Sequence, residues 1–370
     1  MPRFERVVVD SDFPGGYQVE VADINGDSRL DIIGVGEGTC AWFENPTWKK
    51  RVVSTPRQTP GIISSASADL DGDGKAEIAI AYEFGMNDPT HGKLVLAAQG
   101  PDSQAAWTLR PIADVGSIHR LRWGDVDGDK RLDLVVAPLF GPTARALSYN
   151  QSPARLLVFQ TGSNPKAASW TAETLGERPV IHGIKVLDFN GDGRSEVLTA
   201  DNLGVAVFDL ESGTGKWRSR TLVSGAPGEP PKRGSSEVQV GHLADGTRFL
   251  ATVDPWHGTE VAVSESAGPA SFGPRSVLDA TMKDGHALWV ADVDGDGDDE
   301  IFAGYRGPGT SVLAFDYDGK SWIRTVLDSA IAAQDLRGGD LDGDGTPDVV
   351  SIGGKTHNLV WYRPLQPNKP

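Results

Sequence analysis

Six copies of one acidic loop recur along the chain, and they constrain its fold more than any other feature. Each copy follows the pattern D-x-[DN]-G-D-x-x-x-[DE], and the first residues fall at 23, 69, 125, 188, 292 and 340. Oxygen atoms at positions 1, 3, 5 and 9 suit one hard cation, and the glycine at position 4 permits a tight turn. We therefore expect Ca²⁺, with Mg²⁺ as the alternative ion, in up to six structural sites.

The expected metal ligands are the four acidic or amide side chains of each loop. They are Asp23, Asn25, Asp27, Asp31, Asp69, Asp71, Asp73, Glu77, Asp125, Asp127, Asp129, Asp133, Asp188, Asn190, Asp192, Glu196, Asp292, Asp294, Asp296, Glu300, Asp340, Asp342, Asp344 and Asp348.

The spacing of the loops predicts the architecture. Successive loops start 46 to 63 residues apart, except for one interval of 104 residues between positions 188 and 292. A degenerate loop at 242–250, with His242 in the place of the first aspartate, fills that interval. Repeats of roughly 50 residues are typical of propellers and solenoids. Each unit contains four short runs with the alternation of β-strands, so we predict one all-β domain over 1–370, a seven-bladed β-propeller with four-stranded blades.

The seven acidic-loop segments, one for each blade, lie at 23–31, 69–77, 125–133, 188–196, 242–250 (the degenerate copy), 292–300 and 340–348.

The two ends of the chain complement each other. The segment FERVVV, starting at Phe4, carries the aromatic tag of a fourth strand, whereas the C-terminal unit reaches only its third strand, LVWYRP. An unpaired strand edge is a liability that a closed ring removes. We expect the N-terminal strand to join the C-terminal blade and close the ring.

Composition narrows the classes of partner. The formal net charge is −16, and the loop ligands account for much of the acidity. No basic stripe appears, so we expect no nucleic-acid partner, and no apolar run is long enough to span a membrane. The single cysteine cannot form an intrachain disulfide. The N-terminal segment has the pattern of a strand rather than of a secretory signal, which favours a cytoplasmic protein without excluding an exported form. The sequence leaves the oligomeric state open.

Three histidines share one position in the repeat. His119, His182 and His286 each lie six residues before the first acid of their loop. The first strand of a propeller blade lines the central axis, so equivalent positions on different blades converge on the channel mouth opposite the ion loops. Glu237 lies one residue further along its own strand, between blades that carry two of these histidines. For a single histidine at a strand start, the favoured interpretation is that it only caps a backbone carbonyl, but three together favour a functional site.

Other side chains are expected around the same opening, on the loops between second and third strands or at equivalent repeat positions. We assign catalytic roles to His119, His182, His286, Glu237, His257 and His357, and substrate contacts to Tyr17, Gln334, Trp256, Tyr305 and Arg306. An exposed Trp256 would stack on a sugar ring. Converging imidazoles with a glutamate fit a transition metal such as Zn²⁺, and they fit a metal-free acid–base site equally well.

The repeat resembles the FG-GAP/VCBS type found in integrin α-subunits and many microbial proteins. The segments HRLRWGDVDGD, HGIKVLDFNGDG and GHALWVADVDGDGDDE, which start at His119, His182 and Gly285, resemble the propeller domain of the aldos-2-ulose dehydratase family. That resemblance implies a dehydratase site for a small keto-sugar, structural divalent ions in the loops and a metal in the channel region.

Together these features favour a carbohydrate hydro-lyase that eliminates water from a keto-sugar or anhydro-sugar at a histidine-rich channel mouth, either with the help of a metal or without one. One alternative is a lyase that cleaves glycosides or polysaccharides by β-elimination. Another is a non-catalytic, calcium-stabilised propeller of the integrin kind that binds a glycan or a protein.

Overall fold

A computed structural model describes residues 1–100, 105–146, 148–166, 169–268 and 271–365. These ranges contain β-strands and one short 3₁₀ turn, Tyr149–Gln151. Within them no helix is long and apolar enough to cross a lipid bilayer.

In chain order the strands are β1 Arg3–Asp10, β2 Gly16–Ala22, β3 Asp31–Gly36, β4 Thr39–Glu44, β5 Lys49–Ser54, β6 Ser64–Ala68, β7 Glu77–Tyr82, β8 Lys93–Ala98, β9 Thr108–Asp114, β10 Ile118–Gly124, β11 Asp133–Pro138, β12 Ala154–Gln160, β13 Thr171–Arg178, β14 Gly183–Leu187, β15 Glu196–Asp201, β16 Gly204–Glu211, β17 Lys216–Ser224, β18 Glu237–His242, β19 Arg248–Asp254, β20 Glu260–Gly268, β21 Ser271–Phe272, β22 Ser276–Asp279, β23 Gly285–Ala291, β24 Glu300–Tyr305, β25 Ser311–Tyr317, β26 Trp322–Asp328, β27 Ala333–Gly339, β28 Asp348–Gly353 and β29 Leu359–Leu365.

The strands form seven antiparallel sheets, which are the blades of the predicted propeller. Blades 1 to 4 are β2–β5, β6–β9, β10–β13 and β14–β17, and blade 6 is β23–β26. Blade 5 comprises β18–β22, because its outer strand is split into β21 and β22, which both pair with β20. The first strands of neighbouring blades contact one another in a complete ring, which places them around the central channel.

The ring closes as the sequence predicts. Strand β1 pairs antiparallel with β29, from Arg3 opposite Leu365 to Val8 opposite Val360, and so completes blade 7 with β27–β29. Asp328, at the end of blade 6, reinforces the closure. Its carboxylate accepts hydrogen bonds from Arg6 Nε at 2.8 Å and from the Tyr362 hydroxyl at 2.7 Å.

The hydrophobic core lies between the blades. Every sheet is covered on both faces by its neighbours, so second strands such as β3, β11, β15 and β28 are buried along their whole length. This is why these strands read as nearly continuous apolar runs, whereas the outer strands alternate. The degenerate loop of blade 5 has no acid at its four ligand positions, but it keeps its turn, because the Leu243 amide donates to the Thr247 carbonyl at 2.8 Å and the Thr247 amide donates to Asp245 Oδ1 at 2.8 Å.

Candidate functional site

The histidine position of the repeat is a β-bulge in several blades. The pairing between first and second strands skips Tyr17, His119, His286 and Gln334, in blades 1, 3, 6 and 7. A bulge leaves one residue outside the ladder and re-aims its side chain. His182 lies directly before β14, where its amide donates to Ala200 O at 3.0 Å. The shared offset in the sequence therefore corresponds to a shared backbone irregularity at the inner rim of the ring.

Four imidazoles gather at this rim, and we call them the imidazole cluster: His119, His182, His257 and His286. The ring centroid of His182 lies 4.8 Å from that of His119, 4.9 Å from that of His286 and 5.0 Å from that of His257. The convergence of the first-strand histidines on one space thus agrees with the sequence prediction. His257 joins them from the loop between the second and third strands of blade 5.

The first-strand histidines are oriented by the next blade in the ring. His182 Nδ1 lies 3.1 Å from Ser236 O, and His286 Nδ1 lies 2.6 Å from Gln334 O. The ring of His119 likewise bonds the backbone of His182. The partner residues Ser236, Gln334 and His182 each occupy, in the next blade, the same repeat position as the histidine that they contact. Because a carbonyl can only accept, Nδ1 of His182 and His286 carries the proton, and the Nε2 lone pairs of these two neutral rings are available as ligands or bases.

A buried ion pair lies behind His182. Glu237 Oε1 is 3.0 Å from His182 Nδ1 and 3.1 Å from Arg120 Nη2, and the Glu237 and Arg120 side chains are only 10% and 6% exposed. Burial by itself would raise the pKa of Glu237, but the Arg120 charge and the His182 hydrogen bond lower the pKa overall. Glu237 is therefore a carboxylate at neutral pH, adjacent to an imidazole that it can orient.

The imidazoles are neutral at the same pH. Burial, followed by the charge of Arg120, holds the pKa of His119 well below its usual range. The pKa of His286 is lowered in the same way by burial and then by Arg306. Burial also lowers the pKa of His182, although the hydrogen bond to Glu237 opposes it. Neutral rings are the form that binds metals and accepts protons.

Tyr17 links two members of the cluster. Its hydroxyl oxygen is 2.9 Å from His119 Nε2 and 3.4 Å from His286 Nε2. One hydroxyl proton can serve only one of these acceptors, and the shorter distance assigns it to His119. Tyr17 therefore occupies the shared space that its repeat position predicts, with a donor facing the cluster.

His257 is the member of the cluster that reaches solvent. Its side chain is 26% exposed, whereas His119, His182 and His286 are 0–1% exposed. Its Nε2 lies 3.2 Å from Nε2 of His182, and its Nδ1 lies 3.0 Å from Arg306 Nη2. Since the guanidinium can only donate, the neutral His257 ring carries its proton on Nε2. The sequence predicted an open channel mouth, but the imidazole cluster is largely buried, and solvent reaches it at His257.

Trp256 differs from the expectation of an exposed, sugar-stacking side chain. It is only 6% exposed and packs with Leu139, Phe140 and Val180. Its ring meets Tyr149 edge-on with centroids 5.8 Å apart, and its indole N–H is buried without a hydrogen-bond partner in the described part of the chain. The exposed position was wrong, because the long loop after β11 folds inward and provides an apolar cover. Trp256 forms part of the roof over the cluster.

The remaining predicted side chains have different surroundings. Arg306 donates from Nε to Asp284 Oδ2 at 2.8 Å. This contact fixes the Arg306 guanidinium, which also hydrogen-bonds to His257. The Tyr305 hydroxyl donates to Gly309 O within its own loop. Gln334 supplies its backbone carbonyl to His286. His357 is exposed on the loop before β29, and its ring has no contact with the cluster among the described residues. Roles for these side chains in substrate contact stay predictions.

Two charged neighbours of the imidazole cluster were not predicted from the sequence. Arg120 and Asp284 were not selected, although the first directly follows His119 and the second lies two residues before His286. Extending the repeat alignment by one residue places Arg120 and Glu237 at the same level of the channel. Opposite charges at equivalent positions of different blades are the signal that could have identified the Arg120–Glu237 pair.

The cluster also fits a transition metal. His182, His257 and His286 offer ligand atoms that all lie within 4.8 Å of one another. The 3.2 Å between Nε2 of His182 and Nε2 of His257 approaches the separation of about 3.3 Å between two nitrogens on a tetrahedral Zn²⁺. Binding of a metal at Nε2 of His257 would require the other tautomer, in which Arg306 no longer donates to Nδ1 and the Nδ1 proton faces Asp284 Oδ1, now 3.4 Å away. This set contains His257 in place of His119, and which of the expected catalytic histidines would bind a metal stays a prediction.

The acidic loops fit hard cations. Burial raises the pKa of Asp31, Asp133 and Asp348 to about 7 and that of Glu300 to about 9. Oxygens of Glu300 and Asp294 are buried without a hydrogen-bond partner in the described ranges. Clustered carboxylates with orphaned oxygens are stabilised by a bound cation, which favours their ionised form.

Lys166 makes the second loop unlike the others. Its ammonium lies 2.6 Å from Asp71 Oδ2 and 3.0 Å from Glu77 Oε1, two of the expected ligands. The lysine reaches this loop from the neighbouring blade and occupies the region where a metal ion would bind. The loops are therefore not six equivalent sites, because one of them contains a cation supplied by the chain itself.

Comparison with known proteins agrees with this architecture. Residues 91–266 match the model of the aldos-2-ulose dehydratase beta-propeller domain, and residues 23–80 and 292–351 match the FG-GAP-like repeat. The aldos-2-ulose dehydratase of Phanerodontia chrysosporium is 25% identical over 346 residues, covering 83% of this chain and 38% of that enzyme. The chain thus spans well under half the length of this relative. These matches confirm the resemblance predicted from the repeat.

Two solved structures share the fold. An Agrocybe aegerita lectin, described as recognising non-reducing terminal N-acetylglucosamine, superposes with a TM-score of 0.56 at 15% identity, covering 99% of this chain and 87% of the lectin. Rhamnogalacturonan lyase YesW superposes with a TM-score of 0.53 at 16% identity, covering 98% of this chain and 76% of the lyase. At these identities the likeness shows the fold alone.

Proposed function

We propose that this chain is a carbohydrate dehydratase that eliminates water from a small keto-sugar or anhydro-sugar at the imidazole cluster. The observation that carries the proposal is the pair of Nε2 atoms of His182 and His257, 3.2 Å apart, with Glu237 behind one ring and Arg306 behind the other. The distant homology to aldos-2-ulose dehydratase supports the same class of reaction.

Water elimination beside a ketone needs a group that removes the proton α to the carbonyl. His182 suits this role, because its Nδ1 proton is held by Glu237 and Ser236, and its Nε2 lone pair can accept a proton once the hydrogen bond from His257 opens. The carboxylate of Glu237 stabilises the imidazolium that forms, as a buried acid does for the histidine of a catalytic triad. The same proton then passes from Nε2 to the departing hydroxyl, which leaves as water and returns His182 to its neutral form.

The developing enolate needs a hydrogen-bond donor. His257 presents Nε2–H, because Arg306 donates to its other nitrogen. A neutral imidazole can polarise a carbonyl in this way. The His182–His257 hydrogen bond must open so that the substrate carbonyl meets His257 and the α-carbon meets His182. Tyr17 provides a second donor, its hydroxyl group, on the other side of the cluster.

A transition metal is compatible with the same residues. His182, His257 and His286 would hold it, and the bound metal would supply polarisation of the substrate carbonyl. Metal analysis of the purified protein before and after chelation separates this version from the metal-free one. For the loops, we propose structural Ca²⁺ or Mg²⁺ with the ligands named above.

The burial of the cluster favours a second candidate function. Three of its imidazoles are 0–1% exposed, as expected if they only join blades through hydrogen bonds. The chain would then be a non-catalytic propeller that binds a glycan or a protein.

Turnover of anhydrofructose and related keto-sugars, followed by the ultraviolet absorbance of the unsaturated ketone product, tests the proposal. His182→Gln should lower kcat by at least about 10²-fold, because a positioned acid–base group contributes that much or more. His242→Gln is the matched control, since His242 is exposed and lies outside the cluster. Full turnover in the His182 variant, or no turnover of any of these sugars by well-folded wild type, would overturn the assignment.

A further inference from the structure

A second group of charged side chains lies deeper in the channel, beyond the imidazole cluster. Arg122, Lys185 and Arg337 belong to the first strands of blades 3, 4 and 7. Each is the third residue before the first acid of its loop, so the three lie at one level of the ring. This level is roughly 10 Å from that of the histidines, given about 3.3 Å per strand residue. We call these three residues the channel cations.

The channel cations face one another across the same space. Lys185 in blade 4 is close enough to Arg337 in blade 7 and to Arg122 in blade 3 for their charges to act on it. Burial first, and then those two positive charges, lower the pKa of Lys185 to about 8. Burial and the Arg337 charge likewise lower the pKa of Arg122 to about 10. All three side chains are half-buried, so the repulsion between them is only partly screened by solvent.

The carboxylates near these cations accept hydrogen bonds from other groups as well. Asp299, whose charge acts on Lys185 and opposes the lowering of its pKa, accepts from the His242 amide at 2.7 Å. Arg337 donates to Asp335 Oδ1 at 2.9 Å, and the other Asp335 oxygen accepts from the amide of Val19 at 3.2 Å. Glu20 directs both of its oxygens to blade 2, where Ser65 and Ser67 donate to them.

The donors of the other two cations remain underused. Arg122 donates from Nη1 to the carbonyl of the preceding residue, Leu121, at 2.7 Å. Within the described ranges the Lys185 ammonium has neither a hydrogen-bond nor an ion-pair partner. An ammonium without an acceptor, near two guanidinium groups, is the donor set that an oxyanion would satisfy.

We propose that a small tetrahedral oxyanion of the phosphate or sulfate type binds in the channel between Arg122, Lys185 and Arg337. Guanidinium groups offer paired N–H donors to such oxygens, and the ammonium adds a third, independent donor. The bound anion links blades 3 and 4 to blade 7, the blade that the N-terminal strand completes. This site is separate from the imidazole cluster and does not depend on the sugar chemistry proposed for it.

Isothermal titration of the full chain with inorganic phosphate, and with sulfate, tests this site, with sodium chloride at equal ionic strength as the reference. Wild type should bind one equivalent of phosphate and unfold at a higher temperature when it is present. Lys185→Met should weaken phosphate binding at least 10-fold, whereas Lys320→Met, at an exposed turn between β25 and β26, should bind as wild type does. Glucose 6-phosphate serves as a second titrant. If it competes with phosphate, the site accepts a phosphoryl group on a larger ligand. If it does not compete, the site accepts only the free anion.

The Lys185 variant also gives a readout without ligand. In phosphate-free buffer Lys185→Met should be at least as stable as wild type, because the substitution removes repulsion and breaks no ion pair. Binding of phosphate no tighter than that of chloride, or equal phosphate affinity in wild type and Lys185→Met, would overturn the proposal. Arg122→Gln provides an independent variant for the same titration if the lysine variant does not fold.

Discussion

The buried pair Arg120–Glu237 makes two predictions that can be separated, one about stability and one about turnover. The two side chains come from blades 3 and 5 and meet at 3.1 Å with little exposure to solvent. Removing one partner of a buried ion pair leaves an uncompensated charge, which typically costs about 3–5 kcal/mol. We expect Glu237→Gln and Arg120→Met each to lower the free energy of unfolding by about 3 kcal/mol.

The double variant should behave differently from the sum of the two changes. Once both charges are absent no group is left unpaired, so we expect a coupling energy of about 2 kcal/mol or more, within the range for residues in direct contact. Equilibrium unfolding in urea measures all four proteins. The exposed pair Arg155–Glu177, 3.4 Å apart, is the control, and Glu177→Gln should change stability by less than about 1 kcal/mol.

Turnover should not follow stability. Glu237→Gln removes the carboxylate that holds the Nδ1 proton of His182, so kcat should fall by about 10²-fold or more both in this variant and in the double variant, although the double variant loses less stability than the sum of the two single changes. If the loss of unfolding free energy in the double variant equals the sum of the two single losses to within about 0.5 kcal/mol, the pair does not interact in solution. Normal turnover in folded Glu237→Gln would refute the role of the carboxylate in orienting His182.

Three further predictions concern other parts of the ring. Lys166→Ala should increase the number of calcium ions bound per chain by one, measured by metal analysis after dialysis, because the ammonium no longer contacts Asp71; an unchanged ratio would contradict this. Tyr17→Phe should lower kcat by about 10²-fold with nearly unchanged thermal stability, because it removes one donor facing the cluster. Burial by itself would raise the pKa of Asp328, but hydrogen bonds from Tyr362 and Arg6 lower it below 3.8. Wild type should therefore be more stable than Asp328→Asn above pH 3.8 and lose this advantage as the pH falls through the lowered pKa, as urea unfolding across pH would show; a difference that persists at low pH would argue against the ionised form.

The architecture could be predicted from the sequence because its determinants are local and repeated. The acidic loops mark the turn between first and second strands, and their spacing counts the blades, including the degenerate one at 242–250. The aromatic tag at Phe4 identifies the strand that closes the ring. Strand alternation and turn chemistry depend on neighbours within a few residues, so a single sequence contains them.

The candidate site was only partly predictable. The common offset of His119, His182 and His286 from their loops located three of the four imidazoles, because the inner strand of every blade starts at the same rim. The entry of His257 into the cluster, and the burial of Trp256 beside it, depend on how the loops of blades 3 and 5 pack against each other. No pattern within one repeat specifies that packing.

Contacts across the ring belong to the tertiary structure in the same way. Arg120 and Glu237 are 117 residues apart in the chain, and Lys166 reaches a loop almost 90 residues before it. The sequence by itself determined seven blades, the six acidic loops and the rim on which the histidines lie. Only the folded ring decided which side chains meet across the channel, which are sealed from solvent and which cation occupies a loop, because those outcomes arise from long-range packing between blades.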